Sequence, residues 1–208
     1  MQYWNNRFSD KGKIWGERPS KTAICALKLF KKYDIKKILI PGSAYGRHTK
    51  FFSKNNYIVT GIEISDIALT IAKDYDPKSK FILGSVLDMP FNDEKYDAIY
   101  CHNLLHLFFK NDRVLFIQKC YTQLKENGYI FFSAFSEQEQ SFGKGKQIEE
   151  NTFESKQWRP AHYFTTEDLI SHFNAFRVIE TDIIEEPENH DDLGPHTHKL
   201  RYIFAQKK

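Results

Sequence analysis

Long apolar runs are missing from this chain of 208 residues. No stretch approaches the ~18 consecutive apolar residues that cross a bilayer as a helix. The opening residues Met1-Gln2-Tyr3-Trp4-Asn5-Asn6-Arg7 hold no apolar signal core. No membrane partner and a cytoplasmic location are therefore expected. Cysteine is scarce. Cys25, Cys101 and Cys120 stand far apart in apolar surroundings without metal-site spacing, so they are expected to be reduced and buried. Charge of one sign is lacking as well: Lys+Arg 30 against Asp+Glu 27 leaves +3. Lys28, Lys31, Lys32, Lys36 and Lys37 cluster at a helix end, where cations suit the dipole and solvent. With no dense basic tract, no nucleic acid is expected as a partner. A P-loop is absent too, because Gly143-Lys144-Gly145-Lys146 falls in a polar stretch without its spacing.

Rings are plentiful. The chain has 18 Phe, 11 Tyr and 3 Trp, within a hydrophobic fraction of 41%. A chain of this size buries roughly 70% of its unfolded surface, enough for one layered domain without staples. From Lys37 onward apolar runs alternate with helix-like segments. Ile38–Ile40, 57–62, 80–83, 96–101 and 129–135 read as strands. Between them, 47–56, a segment capped by Ser65, and 111–124 read as helices. The stripe Val114, Ile117, Cys120, Tyr121 and Leu124 predicts the buried face of the last of these, which Gly128 ends. Residues 20–32 predict an earlier helix with Ile24, Leu27, Leu29 and Phe30 facing the sheet. Strands alternating with helices imply a mostly parallel sheet covered on both faces. Polar residues 137–151 read as a loop or lid, and 165–173 as a short helix with a Thr-x-x-Asp start. Residues 176–184 and 197–206 predict an antiparallel strand pair at the sheet edge. The expected division is a cap segment and helix at 1–36, a core at 37–136, a lid at 137–164, and a terminal helix and strand pair at 165–208.

The densest chemistry lies in Ile38-Leu39-Ile40-Pro41-Gly42-Ser43-Ala44-Tyr45-Gly46-Arg47-His48. A strand runs into a small-residue turn and then into a helix, so a ligand can approach the backbone. Glu63 ends the next strand, 21 residues after Gly42. A carboxylate there suits ribose hydroxyls, at the carboxyl ends of adjacent strands where open α/β sheets bind ligands. The glycine spacing departs from the dinucleotide fingerprint Gly-x-Gly-x-x-Gly, which counts against a nicotinamide oxidoreductase.

The stretch from Ile38 to Leu69 resembles the first two motifs of class I S-adenosylmethionine-dependent methyltransferases. It is similar in particular to the thiopurine and tellurite-resistance (type 11/12-like) small-molecule group. Further matches are Gly84-Ser85-Val86-Leu87-Asp88-Met89-Pro90-Phe91, Tyr96-Asp97-Ala98-Ile99-Tyr100-Cys101-His102-Asn103 and Leu124-Lys125-Glu126-Asn127-Gly128-Tyr129. Tyr3–Phe8 and Trp15–Ser20 match at the N-terminus. The resemblance implies an α/β, three-layer Rossmann-like methyltransferase fold: a mostly parallel seven-stranded sheet with an antiparallel C-terminal edge strand. It implies S-adenosyl-L-methionine as cofactor and methyl transfer by in-line displacement to a small molecule. Gly42, Ser43, Ala44 and Gly46 would flank the methionine part. Glu63 would hold the ribose, with Ile64 on the adenine and Ser85, Val86 and Leu87 around its edge. Cys101 and His102 would border the sulfonium, and Trp4 and Trp15 would close over the cofactor. Departures from the pattern are Ala44 for a glycine, Ile40 for a common acid before the turn, and Ser85 for an acid at the adenine edge.

A soft acceptor needs no base, whereas oxygen or nitrogen acceptors often do. Candidate catalytic residues are His102, His106 and His162. His102 and His106 follow the fourth strand, and His162 follows the expected lid. His196 and His198 alternate on a strand, and with His190 and Asp191 they could hold a metal. Paired surface histidines on an edge strand are the simpler reading, so no metal is expected. Trp4, Trp15 and Trp158 all lie outside the strand–helix core, which makes them candidate walls of the acceptor pocket. A monomer or homodimer is expected. The competing readings are an RNA- or protein-directed methyltransferase and a non-catalytic S-adenosylmethionine-binding protein.

Overall fold

A computed structural model describes residues 2–156, 159–189 and 194–208. The expectations placed on Trp158, His190 and Asp191 lie outside these residues. Seven strands form the main sheet in the order β3-β2-β1-β4-β5-β10-β9. They are β1 (Lys37–Pro41), β2 (Ile58–Glu63), β3 (Lys80–Leu83), β4 (Tyr96–His102), β5 (Leu124–Phe135), β9 (Phe176–Asn189) and β10 (Pro195–Lys207). The first five pair in parallel, and β10 is antiparallel to both β5 and β9. The expected terminal pair therefore stands at the sheet edge, with the last strand one place in from it.

Continuous apolar strands are buried on both sides because successive Cβ atoms alternate across the pleat. Leu39, Ile62, Ile99 and Cys101 join one core, with Phe116, Ile117 and Cys120 of α5 (Lys110–Gln123) and Leu169 of α6 (Thr166–His172). Ile38, Ile40, Val59 and Tyr100 join the other. Its helical partners are Ala23, Ala26 and Phe30 of α2 (Lys21–Lys32) and Phe52 of α3 (Arg47–Lys54). Fully burying a side chain such as Phe30 contributes about 1.5–3 kcal/mol.

Two helix faces differ from the sequence expectation. In α2, Ala23, Ala26 and Phe30 are buried while Ile24 is 41% exposed. The Ser20 cap, accepting from Ala23 N–H, fixes the helix start, and two alanines let α2 approach the sheet closely. In α5, Phe116 replaces Val114 on the inner face, with Ile117 and Cys120 retained.

The N-terminal segment contains helix α1 (Gln2–Lys11), which packs on α4 (Asp66–Tyr75). Residues 137–164 are not all loop. β6 (Lys146–Glu149), β7 (Thr152–Lys156) and β8 (Arg159–His162) form a separate antiparallel sheet. Their polar composition hides them from a hydrophobic-period reading, because this small sheet has little core to cover. Among the described residues, no helix is long and apolar enough to cross a membrane.

Candidate active site

Strand register assembles the site. Pro41 pairs with Ile62, so Glu63 emerges beside the turn that follows β1. Leu39 pairs with Ile99, which brings the segment after β1 and the end of β4 out at the same level. The turn is built from left-handed residues: Gly42 at φ 68°, Ala44 at φ 49° and Gly46 at φ 88°. Gly42 has a second reason to lack a side chain, since a Cβ there would stand 2.9 Å from Leu104.

Glu63 is buried and ties this turn together. One carboxylate oxygen accepts from Ala44 N–H at 2.8 Å, and the other from Ile64 and Ser65 N–H at 2.9 and 2.8 Å. Burial raises its pKa, and the three backbone bonds pull against that rise. A carboxylate offers about four lone-pair positions, so it can take a further donor without losing the turn. Ile64 follows directly and is half-buried. Ser85 caps the short helical turn 86–88, with Val86 buried and Leu87 packed against the core.

His102 ends β4 on the α2 side of the sheet. Its Nδ1 meets Thr22 Oγ1 at 2.9 Å and Ser133 Oγ at 3.0 Å. The network continues through Tyr100, Ser20 and His48, with Ser20 Oγ 3.0 Å from His48 Nε2. His102 Nε2 is buried and has no protein partner. Ser43 Oγ, Asn103 Oδ1 and His106 Nδ1 share that state. These atoms belong to the segments that leave the carboxyl ends of β1 and β4. Burial lowers the pKa of His102 to about 3, with the Arg47 charge adding to the effect. It does the same to His106, whose ring stacks on Phe135 at 4.0 Å. Cys101 points to the opposite face, into the apolar core, where burial pushes its thiol pKa up.

The other candidates have structural partners. Both nitrogens of His162 are engaged, Nε2 with Asp168 Oδ2 at 2.6 Å and Nδ1 with Thr152 Oγ1 at 2.7 Å. Burial opposes the charge of Asp168, but bonds from His162 and His172 outweigh it and hold the carboxyl below its ordinary range. Trp4 stacks on Phe8 at 6.0 Å, and Trp15 stacks on Tyr45 at 6.0 Å, in a cluster that includes Ala44. Tyr45 donates to Gly16 O at 2.6 Å, and Arg47 donates to Trp15 O at 3.1 Å. The N-terminal segment is thus fixed to the turn by two hydrogen bonds as well as by its rings. It also reaches β8, where the Arg159 guanidinium lies 4.6 Å from the Tyr3 ring centre.

Register and burial therefore bring together Gly42, Ser43, Ala44, Gly46, Glu63, Ile64 and His102, with Trp4 and Trp15 behind the turn. Cys101 and His162 are turned to other tasks. Sequence reasoning missed Ser20, Thr22, His48, Tyr100 and Ser133. Ser20 and Tyr100 stand 80 positions apart in the chain, and no local pattern announces such a pair.

The chain's likeness to known proteins agrees with this geometry. Residues 39–132 match the family described as the methyltransferase domain. No curated protein matches the chain by sequence. Among solved structures, a protein studied for the conversion of a disulfide bond into a thioacetal group during echinomycin biosynthesis superposes with TM-score 0.79 at 13% identity. That match covers 100% of this chain and 91% of the other. The 1,6-didemethyltoxoflavin-N1-methyltransferase of Burkholderia thailandensis, solved with bound 1,6-didemethyltoxoflavin and S-adenosylhomocysteine, gives 0.73 at 16% identity, over 100% and 86%. TehB from Haemophilus influenzae gives 0.70 at 16% identity, over 99% and 67%. At these identities the structural likeness is one of fold, and it extends past the matched domain through β9 and β10. Residues 39–132 thus match a methyltransferase domain, set in a chain whose fold is that of S-adenosylmethionine-dependent methyltransferases.

Proposed function

We propose that this methyltransferase acts on a small molecule bound at the carboxyl ends of β1 and β4, beneath a cover formed by α1 and strands β6 to β8. The observation that carries the reading is the set of buried polar atoms lacking protein partners there: Ser43 Oγ, His102 Nε2, Asn103 Oδ1 and His106 Nδ1. Buried polar groups without partners cost about 1–3 kcal/mol each, and a polar ligand would recover that cost.

When bound, S-adenosylmethionine supplies a methyl group activated by its sulfonium. The cofactor residues are then Gly42, Ser43, Ala44 and Gly46 along the methionine part, with Glu63 on the ribose. Ile64, Ser85, Val86 and Leu87 surround the adenine, and His102 faces the reacting end. Trp4 and Trp15 serve by holding the turn through Tyr45. The chain's own contribution is to orient two reactants and exclude water, and proximity supplies much of the rate in a displacement at an activated carbon.

The histidines favour one acceptor chemistry. With pKa values near 3, His102 and His106 are neutral at physiological pH. Their conjugate acids are also too strong for either ring to be an effective general base. Each still accepts or donates a hydrogen bond and so can orient an acceptor. An acceptor that arrives as a nucleophile, such as a thiolate, selenide or telluride, fits this site best. His162, held on both nitrogens, positions the cover.

A screen with methyl-labelled cofactor across thiols, selenide, telluride, amines, phenols and tRNA tests the proposal. Label transfer to a soft small-molecule acceptor is the expected result. Label recovered only in tRNA or in protein would overturn it.

A further inference from the structure

Three metal-ligand side chains converge at the end of the β9–β10 hairpin. Glu188 and His196 are directly opposite in the antiparallel register, and His198 follows two residues on. The pleat therefore sends all three to one face. One ligand atom from each lies within 4.8 Å of the others. His196 Nε2 and His198 Nε2 are 3.1 Å apart, and a Glu188 oxygen is 3.7 Å from His198 Nε2.

The remaining ring nitrogens fix the tautomers. His196 Nδ1 is 2.8 Å from the Gly194 carbonyl oxygen, and His198 Nδ1 is 2.8 Å from Glu139 Oε1. Neither oxygen can donate, so both Nδ1 atoms carry the hydrogen. In their neutral forms the two rings then aim lone pairs at each other from Nε2. That arrangement is repulsive unless positive charge stands between them. Metal-binding histidines typically donate their other N–H to a carboxylate or carbonyl, and both rings do so here. Glu139 is itself held, since its second oxygen accepts from Lys199 N–H at 2.6 Å. A tetrahedral ion with metal–nitrogen bonds of about 2.0–2.1 Å separates its nitrogens by about 3.3 Å, close to the spacing seen.

We propose that Glu188, His196 and His198 bind one divalent first-row transition ion, of which zinc suits a two-histidine, one-carboxylate set. Glu139 and the Gly194 carbonyl orient the rings. Sequence had suggested paired surface histidines on an edge strand. At these positions β10 pairs with β9 alone, since its pairing with β5 begins at Leu200, yet the His198 side chain is only 15% exposed. An open concavity of about 440 Å³, lined by Arg18, Pro187, Glu188, Pro195, His196 and Thr197, borders the cluster. A coordination position on that side could take water or an anionic group, with Arg18 beside it. Phe135 stacks on both His198 and His106, so the cluster adjoins the proposed acceptor site, but its ligands are not among the residues assigned to cofactor or acceptor.

Full-length protein stripped with a chelator and titrated with Zn²⁺ by calorimetry tests this, alongside Co²⁺ followed by visible absorption. One ion per chain at micromolar affinity or tighter is expected, with Co²⁺ bands of tetrahedral intensity. His196→Ala and His198→Ala should each weaken binding about 100-fold or more, and Glu139→Gln about tenfold. Far-UV circular dichroism and S-adenosylmethionine affinity should stay at wild-type values in all three variants. If the folded wild type takes up no Zn²⁺ at micromolar metal, or His198→Ala binds as tightly as wild type, the rings share a proton instead and the proposal falls.

Discussion

Ala44 sits at φ 49° in a turn flanked by two left-handed glycines. A side chain in that region costs about 1–2 kcal/mol, and the Glu63 bond to Ala44 N–H holds it there. Ala44→Gly should therefore stabilise the protein by about 1 kcal/mol in urea unfolding, with the turn's hydrogen bonds unchanged. Glu63 has two tasks, pinning the turn and, as proposed, holding the ribose. Glu63→Gln is predicted to weaken S-adenosylmethionine binding by about 1.5–3 kcal/mol, roughly 10- to 150-fold in calorimetry. Unchanged affinity would remove the ribose assignment and leave Glu63 as a structural pin. The position of Glu63 was legible because strand, turn, helix and strand come in fixed order along the chain. Its three backbone partners were not, since they follow from how tightly the turn folds back on β2. Nor could alternation alone decide the role of Cys101. Neighbours on a strand face opposite ways, and which of Cys101 and His102 faces the core is set by packing.

The proposed cover, α1 with the segment that carries β6 to β8, is an element-scale feature with two anchors. One is the Arg159–Tyr3 contact between β8 and α1. The other is the pair of bonds holding His162 to Asp168 and Thr152. Asp168→Asn replaces a charged acceptor shared by His162 and His172. It should cost about 1–3 kcal/mol in unfolding experiments. Arg159→Ala should leave global stability nearly unchanged, because an exposed cation–π contact contributes only about 0.5–1 kcal/mol. Faster cofactor dissociation in stopped-flow is the expected sign that the cover has loosened. The main strands were readable because buried β-strands are short continuous apolar runs. Helix faces were less so. Ile24 and Val114 fit an apolar stripe, yet Ala23, Ala26 and Phe30 in α2 and Phe116, Ile117 and Cys120 in α5 take the inner faces and leave both exposed. Strands β6 to β8 left no apolar signature, and only their pairing in space identifies them.

At the scale of the whole molecule, buried neutral histidines couple stability to pH. His102 and His106 have folded pKa values near 3, against an ordinary value of 6.5, and His48 is also shifted well down by burial. The unfolded chain binds these protons more readily, so their contribution is present above pH 6.5 and lost as pH falls toward 3. At pH 5 the loss is roughly 2 kcal/mol for each of His102 and His106. Tm should fall steadily between pH 7 and pH 5. His106→Phe, which keeps the stack on Phe135, should flatten that slope. As proposed, cofactor and acceptor meet where β1 and β4 end, over Glu63 and the partnerless polar atoms of Ser43, His102 and Asn103. A crystal structure of the complex with S-adenosylhomocysteine tests it most directly. The ribose hydroxyls should bond Glu63, and the sulfur should lie within reach of His102 or Asn103. A ligand bound elsewhere, with Glu63 bonded only to Ala44, Ile64 and Ser65, would contradict the account.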